Sequence, residues 1–584
     1  MIKILKTFYG FIWHYKKAFL IFIFVATIAT IIENIGPYLY KLLVDAIPSK
    51  NYYLLLKIVI FFIGARIIGN LLSTLGWYLG DKVIIPAARD ARIKIFRQVQ
   101  DLDFAFHVNK NTGSLISAFK RGDDAFFSLF LDLNGDVFRV IIGLFVTLFF
   151  LNRLTPLFTY LMLGIFFVNF VTSWFLIRFN IGKRAAMNKA EDDVSGVITD
   201  NLINYETVKF FAKEKKEENR LRQEFAEWFK RVWAYANSFR LMDITIGTTS
   251  GLGLFLIFWI AIRKLTRGEM GTGDLVMLAS FTTGFYWQFF YLLYKMREIA
   301  KKFIDIKRYF SLLDEKIMIE DPKNPVEIES VKGDLVFENV GFSYPKGKQN
   351  ALVDFDFHIK PGEVVAFVGK SGAGKTTITK LLLRFYDVDC GQILLDGINI
   401  KDFTKSRLRS FFGVVPQEPI LFNNTIGFNI GYGSEKPTKR KIVEAAKMAN
   451  LHEFIKSLTD KYETQVGERG IKLSGGQKQR LAIARMLLVN PEIIIFDEAT
   501  SNLDSESEKL IQEALWKIAK NRTVLIIAHR FSTVRKAGRI VVLEDGKIVQ
   551  VGSHNKLIRE KGTYRYLWQL QSRGKVPTDP ELLV

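Results

Sequence analysis

Four residues set the first chemical possibility. Gly369, Gly374, Lys375 and Thr376 stand at the spacing G-x-x-x-x-G-K-[ST] inside VVAFVGKSGAGKTTITKLLLRF. A loop of this kind can wrap a chain of phosphates. Backbone N–H groups along Gly369, Lys370, Ser371, Gly372, Ala373 and Gly374, and at the helix start formed by Lys375, Thr376 and Thr377, would surround the anion. Lys375 would reach the β- and γ-phosphates of a nucleotide, and the Thr376 hydroxyl would ligate Mg²⁺. A second constellation follows in EIIIFDEAT, where an apolar run ends in Asp497 and Glu498. An Asp at the C-terminal end of a buried strand lies beside such a loop and can hold Mg²⁺ through water. Glu498 is placed to take a proton from an attacking water or to orient it. His529 follows the run TVLIIA and is a third polar group at a strand end, where ligands bind in α/β sheets.

A further glycine loop, IKLSGGQKQR from Ile471 to Arg480, precedes a charged, helical pattern and has no lysine within its SGG. The elements needed to hold these groups are legible. LVFENVGFSY alternates as a strand, VVAFVG reads as a buried strand, and KSGAGKTTITKLLLRF as a loop opening into a helix. The half of the chain after Pro325 therefore reads as α/β.

The rest of the chain has a different character. Its 584 residues exceed one ordinary core, so two or more domains are expected. Hydrophobic residues make up 49%, with 51 Phe and 20 Tyr, and they mass before about residue 300 in runs near the ~20 residues that span a bilayer. Six spans are predicted, at about 19–40, 54–79, 137–151, 157–177, 244–262 and 275–294. The connections after the second and fourth spans are long, basic and helical in composition, which places them in the cytoplasm with the N-terminus and the soluble half. The basic connection RKLTRGE after the fifth span dissents and is outweighed. The spans between these loops are expected to continue as helices below the membrane. NYETVKFFAKE, Asn204 to Glu214, would be one tip, with Tyr205, Phe210 and Phe211 suited to docking. The net charge of +22 fits basic cytoplasmic loops and lipid headgroups rather than nucleic acid. The single Cys390 permits no intramolecular disulfide, and no Cys/His cluster suggests zinc.

Ionisable residues inside spans are costly and mark either a function or an internal pair. Glu33 and Arg66 lie at similar inferred depths in the first two spans. They are read either as an ion pair fixing those spans or as substrate contacts. Asn70, Asp243 and Gln288 are further candidates to line a cavity.

The soluble half resembles the nucleotide-binding domain of an ABC transporter over residues 334–572. The resemblance identifies LSGGQ, Leu473–Gln477, as the signature, with Ser474, Gly475, Gly476 and Gln477 capping the ATP held by a partner's phosphate loop. The partner's Lys375 and Mg²⁺ would supply the charge that SGG lacks. It also implies that Gln417 ligates Mg²⁺, that Tyr344 stacks on adenine, and that Ser501–Asp504 is the loop whose Asp504 contacts the site. His529 would be the switch histidine, and VGERG, 466–470, would meet the membrane loops. Asn502 departs from the family's usual Ala.

Six spans ahead of one such domain resemble a half-size exporter of the B type, either bacterial lipid- or multidrug-like or of the mitochondrial and heavy-metal-tolerance branch, which TDNLINYETVKFFAKE resembles most. The implied organisation is a transmembrane domain at 1–318, a linker at 319–333, the ATPase domain at 334–572 and a tail at 573–584. The implied cofactors are ATP and Mg²⁺, and the implied partners are a second copy, membrane lipids and a hydrophobic or amphipathic substrate. A heterodimer subunit or an ATP-gated channel are alternatives, and the apolar spans argue against a soluble ABC ATPase that binds nucleic acid. MIKILKTF is not Ser- and Arg-rich like a transit peptide, so the plasma (inner) membrane of a prokaryote is expected.

Overall fold

The computed structural model describes residues 2–573 except 111, 346–349, 468–469, 498–503 and 529. The chain forms two compact units. One comprises residues 1–101 and 111–315, the other 102–110 and 316–584.

The first unit is helical. It contains α1 (Ile2–Trp13), α2 (Lys16–Asn34), α3 (Gly36–Ala46) and α4 (Tyr52–Asp101). After α5 (Phe104–Asn109), which belongs to the other unit, come α6 (Thr112–Phe130), a π-helical segment at Leu131–Val137, α7 (Phe138–Leu154), α8 (Pro156–Ile203), α9 (Tyr205–Phe210), α10 (Glu214–Thr266) and α11 (Thr272–Asp314). The Gly36-Pro37 pair stands where α2 gives way to α3; Pro37 suits the first turn of α3 and lacks the N–H that would carry the ladder of α2 onward. α4, α8 and α10 run 50, 48 and 53 residues, so the expected helical extensions beyond the spans are present. α9 is the short tip between two of them, and Tyr205, Phe210 and Phe211 are exposed on or beside it.

Among the described residues, five helical stretches are long and apolar enough to cross a membrane: Lys16–Ser49, Tyr52–Asp101, Leu115–Leu154, Pro156–Ile203 and Glu214–Thr266. The sixth expected span lies inside the continuous helix α11 but is less apolar than these, because Thr282, Thr283, Trp287 and Gln288 dilute it. Three of its phenylalanines are turned inward, while Trp287 is exposed. Phe281, Phe285 and Phe289 pack with Phe158, Met162, Met242 and Ile246 in one core that joins α7, α8, α10 and α11. Polar pairs bind α8 to α10: Asn169 Nδ2 donates to Ser250 Oγ and Asn180 Nδ2 to Ser238 Oγ, both at 2.9 Å and buried. Such bonds replace the hydrophobic drive that lipid surroundings remove.

The second unit carries two sheets. An antiparallel sheet of order β2-β1-β4-β5 contains β1 (Leu335–Ser343), β2 (Asn350–Ile359), β4 (Cys390–Leu395) and β5 (Ile398–Asn399). A six-stranded sheet of order β10-β9-β3-β8-β7-β6 contains β3 (Val364–Gly369), β6 (Phe412–Val415), β7 (Ile493–Asp497), β8 (Thr523–Ile527), β9 (Arg539–Glu544) and β10 (Lys547–Gly552). All its pairs are parallel except β9 with β10. The helices used below are α12 (Lys375–Leu382), α13 (Lys405–Ser410), α14 (Ile426–Gly431), α15 (Lys439–Met448), α16 (His452–Ser457), α17 (Gly475–Val489) and α18 (Ser505–Ile518). Phe337, Phe355 and Phe367 fill the core against one face of the parallel sheet, and Ile494, Phe496, Ile526 and Leu481 fill the other.

The tip of the first long loop, Leu102–Lys110, falls in this unit rather than with the helices on either side of it. The Phe104 ring stacks on Phe385 with centroids 4.7 Å apart and planes 10° apart. The Asp103 carboxylate accepts the backbone N–H groups of Met318 (2.5 Å) and Ile319 (3.2 Å). The segment read as a linker is tied down as well. Arg384 Nη2 donates to Glu320 O at 3.1 Å, and Val326 N donates to Asp402 O at 2.8 Å.

Candidate functional site

The loop read as phosphate-binding lies between a strand and a helix. The chain leaves β3 at Gly369 and enters α12 at Lys375. Gly374 has φ +98°, and a Cβ there would lie 2.5 Å from Ala351 O, so only glycine closes this turn. Lys375 is buried, and its Nζ donates to the carbonyls of Gly369 and Lys370, both at 2.9 Å. The loop therefore curls around the ammonium group. With exposed Lys370, Ser371, Gly372 and Thr376 at its rim and a helix N-terminus behind it, it fits a phosphate chain and an accompanying cation. Ala373 and Thr377 are buried beneath the rim.

Tyr344 is brought to the same place. Its hydroxyl lies 3.2 Å from Thr377 Oγ1, and Lys380 Nζ lies 3.4 Å from that hydroxyl and 5.1 Å from the ring centroid. Tyr386 meets Tyr344 edge-on at 5.3 Å and Phe104 edge-on at 6.2 Å. Lys380 also stands 5.9 Å from the Phe104 ring. The sequence reading passed over Lys380, Tyr386 and Phe104, since nothing in their spacing shows that residues so far apart share one cluster.

Asp497 closes β7 level with Ile527 of β8, which itself pairs with Phe367, two residues before the end of β3. At about 4.8 Å per strand, Asp497 stands roughly 10 Å across the sheet from Phe367. Gln417, two residues past β6, is exposed, and β6 is the neighbour of β7. Glu498, Ala499 and Thr500, Ser501 to Leu503, and His529 lie outside the described residues, as do Glu468 and Arg469 of VGERG.

The second glycine loop is a helix start. Ser474 caps α17: its Oγ accepts from Gln477 N at 3.3 Å, and its own N–H donates to Gln477 Oε1 at 2.9 Å. This S-x-x-Q capping box is readable in the sequence and gives Gln477 a structural task alongside the one expected. Ser474 and Gly475 are exposed, so the helix N-terminus is open to a ligand. Gln479 was missed. It is buried, and its Nε2 donates to the carbonyls of Pro416 (3.1 Å) and Gln417 (2.6 Å), which ties the signature helix to the Gln417 segment. Asp504 caps α18 through Oδ2 and Ser507 N at 2.9 Å, and these backbone N–H groups hold its carboxyl below the usual range.

Gly476 is buried where α17 meets α18. A Cβ there would stand 2.4 Å from Ser507 Oγ and 2.6 Å from its Cβ. Gly476→Ala is expected to lower stability by about 1–3 kcal/mol through overpacking. Thermal denaturation of the full chain checks this, and adding Ser507→Gly should recover part of the loss.

In the helical unit, Glu33, Arg66 and Asn70 line one cavity of about 550 Å³ between α2/α3 and α4. The other two candidates lie elsewhere. Gln288 Nε2 donates to Asn34 Oδ1 at 3.0 Å, and Asp243 sits on α10. Of the two readings of Glu33 and Arg66, the ion pair is not formed among the described residues; Asp132, Lys295 and Lys302 pair instead. Asp132 is buried in the π-helical segment. It accepts Lys295 Nζ at 2.8 Å and Lys302 Nζ at 2.5 Å, while Lys295 also meets Asp136 at 2.6 Å.

The comparisons with known proteins agree with this geometry. The family described as "ABC transporter" matches residues 352–501, and "ABC transporter transmembrane region" matches residues 19–289. The chain is 36% identical over 508 residues to ATP-binding cassette sub-family B member 6 of Mesocricetus auratus, covering 86% of this chain and 60% of that protein. It is 32% identical over 566 residues to heavy metal tolerance factor 1 of Caenorhabditis elegans, covering 94% of this chain and 69% of that one. A solved structure described as a bacterial Atm1-family ABC exporter with ATP bound superposes with TM-score 0.85 at 31% identity, covering 95% and 98% of the two chains. The chain thus spans about 60% of the sub-family B member 6 proteins that it matches. These comparisons overturn the expected prokaryotic plasma membrane. The curated relatives come from mammals, a frog, Dictyostelium, Caenorhabditis and Arabidopsis, and the last is named mitochondrial. The composition of a stretch as short as MIKILKTF does not decide the compartment.

Proposed function

Because this chain belongs to the ABC transporter family, with the half-size exporter organisation of one membrane region fused to one ATPase domain, we propose that it is an ATP-driven exporter of a hydrophobic or amphipathic substrate. The observation that carries this reading is the pairing of two features in one unit. One is a loop curled around the buried Lys375, and the other is an exposed helix N-terminus capped by Ser474. Bound ATP with Mg²⁺ would supply the phosphoanhydride whose cleavage drives the cycle. Lys375, Thr376, Asp497 and Gln417 would hold its phosphates and cation, and Tyr344 its adenine. Glu498 would orient or deprotonate the attacking water, and His529 would hold the terminal phosphate. The α17 N-terminus carries partial positive charge and suits a phosphate presented by a second copy. Joining and releasing two copies would give the helices two states to alternate between.

The substrate range proposed is a lipid, a drug-like compound or a glutathione-type conjugate. The relative named a heavy metal tolerance factor supports the last of these. ATP hydrolysis and uptake of labelled candidates into inside-out vesicles test the reading. Substrate-stimulated hydrolysis with uptake against a gradient is expected. Hydrolysis with only downhill flux would make the chain an ATP-gated channel.

Homodimerisation is tested by mixing two variants. Lys375→Ala alone damages both sites of a homodimer, and so does Ser474→Arg. In the mixed dimer one site carries both lesions and the other carries neither. Vanadate-dependent trapping of labelled ATP should therefore reappear on mixing. Trapping no better than in either variant alone would reject the shared-site homodimer.

A further inference from the structure

The cavity between α2/α3 and α4 has two charged groups and no internal use for them. Its walls are Ile32, Glu33, Gly36 and Leu39 on one side and residues from Phe62 to Asn70 on the other. Glu33 falls inside the first predicted span (19–40) and Arg66 inside the second (54–79), about 10 Å and about 18 Å from the nearer span end at about 1.5 Å per residue. Both charges therefore belong to segments that cross the hydrocarbon core rather than to its edge. Both side chains are exposed, and neither has an ion pair or hydrogen bond among the described residues. An isolated charge inside the hydrocarbon core is strongly disfavoured. A face bearing two such charges does not suit lipid tails.

The backbone keeps the place open. Gly69 sits between Arg66 and Asn70 on the same face of α4. A Cβ there would lie 3.2 Å from Glu33 Cγ, so the glycine lets Glu33 reach the α4 surface. The result is a carboxylate, a guanidinium and an amide around a space of about 550 Å³, bounded otherwise by apolar residues and Gly36. That volume is within the range of small-molecule sites.

We propose that this cavity binds the head of a zwitterionic amphiphile, with its ammonium group on Glu33, its phosphate or carboxylate on Arg66, and its apolar body along Ile32, Leu39, Phe62 and Ile63. The site carries one charge of each sign. A simple anion would leave Glu33 uncompensated beside it, and a simple cation would do the same to Arg66. Only a ligand with both charges neutralises both walls. This rests on the exporter reading, which it deepens by naming a substrate class.

The test measures binding without nucleotide, using the full chain in a non-ionic detergent and three fluorescent-tailed probes: lysophosphatidylethanolamine, lysophosphatidylglycerol and an alkylamine. The first should bind tightest. Each of Glu33→Gln and Arg66→Gln should weaken it about tenfold, the scale of a lost charge-assisted hydrogen bond. The preferences should also move in opposite directions. Glu33→Gln should favour the anionic probe and Arg66→Gln the cationic one, an inversion that a merely structural role would not produce. If a single variant fails to fold, Glu33→Arg combined with Arg66→Glu keeps the charge balance and should keep the zwitterion preference. Phosphatidylethanolamine that co-purifies with the chain and is lost in the variants identifies a membrane lipid as the source. Binding of added probe with no co-purifying lipid identifies a cytoplasmic amphiphile. Equal affinity for all three probes, or variants that shift all three together, would overturn the proposal. So would charge variants that abolish dimer formation while leaving selectivity unchanged, since the cavity would then be an interface between copies. ATP hydrolysis by the unaltered chain is measured in the same preparation. Its absence would sink the exporter reading while leaving the binding result intact.

Discussion

Glu498→Gln is expected to cut ATP turnover by about 10²–10⁴-fold, the usual contribution of a positioned acid–base group. Asp497 ends β7 in register with the strand that separates it from the phosphate loop, and Glu498 is the next residue. The substitution keeps the size and hydrogen-bonding capacity of the side chain and removes its basicity. ATP binding should therefore survive, and the nucleotide-bound dimer should accumulate because hydrolysis no longer dissolves it. Phosphate release and gel filtration with ATP read the two effects separately. A parental hydrolysis rate would remove Glu498 from the mechanism. Weak ATP binding would instead point to a role in holding the cation.

The second large effect is expected at the π-helical segment. Asp132 is buried and accepts two ammonium groups, from Lys295 and Lys302. Lys295 has a second partner in Asp136. Lys302 has no other ion pair among the described residues. Asn134, in the same segment, accepts the Tyr9 hydroxyl at 3.2 Å. Removing one partner of a buried pair costs about 3–5 kcal/mol, because the remaining charge is left without compensation. Asp132→Ala should thus lower the melting temperature of the detergent-solubilised chain strongly. Adding Lys302→Met should restore much of the loss, since the stranded charge goes with it. A double-mutant cycle measures that coupling. If the two losses simply add, the pair contributes nothing beyond its parts. Segments of π-helix are frequent at functional sites, so transport by the double variant is worth following beside its stability.

Much of the ATPase unit was legible in the chain itself. β3, β7 and β8 are buried on both faces of a parallel sheet, so they read as unbroken apolar runs, and their ends place Gly369 and Asp497 without knowledge of the fold. The glycine, lysine and threonine spacing belongs to one local turn, and local geometry is what spacing encodes. The long membrane helices were legible for the same reason, since length and apolarity are properties of a segment. α11 was the exception in strength: its apolar side chains serve a protein core, and its polar ones dilute the run.

Contacts between distant segments were decided only by tertiary packing. No spacing announces that Phe104 stacks on Phe385, or that Gln479 holds the backbone of Gln417. Two charges of similar depth, Glu33 and Arg66, invited pairing, yet the helix faces set them around a cavity and gave the ion pairs to Asp132, Lys295 and Lys302. Sequence periodicity fixes which face of a helix a residue occupies. How two helices rotate against each other, and so which faces meet, depends on the close packing of all the side chains between them.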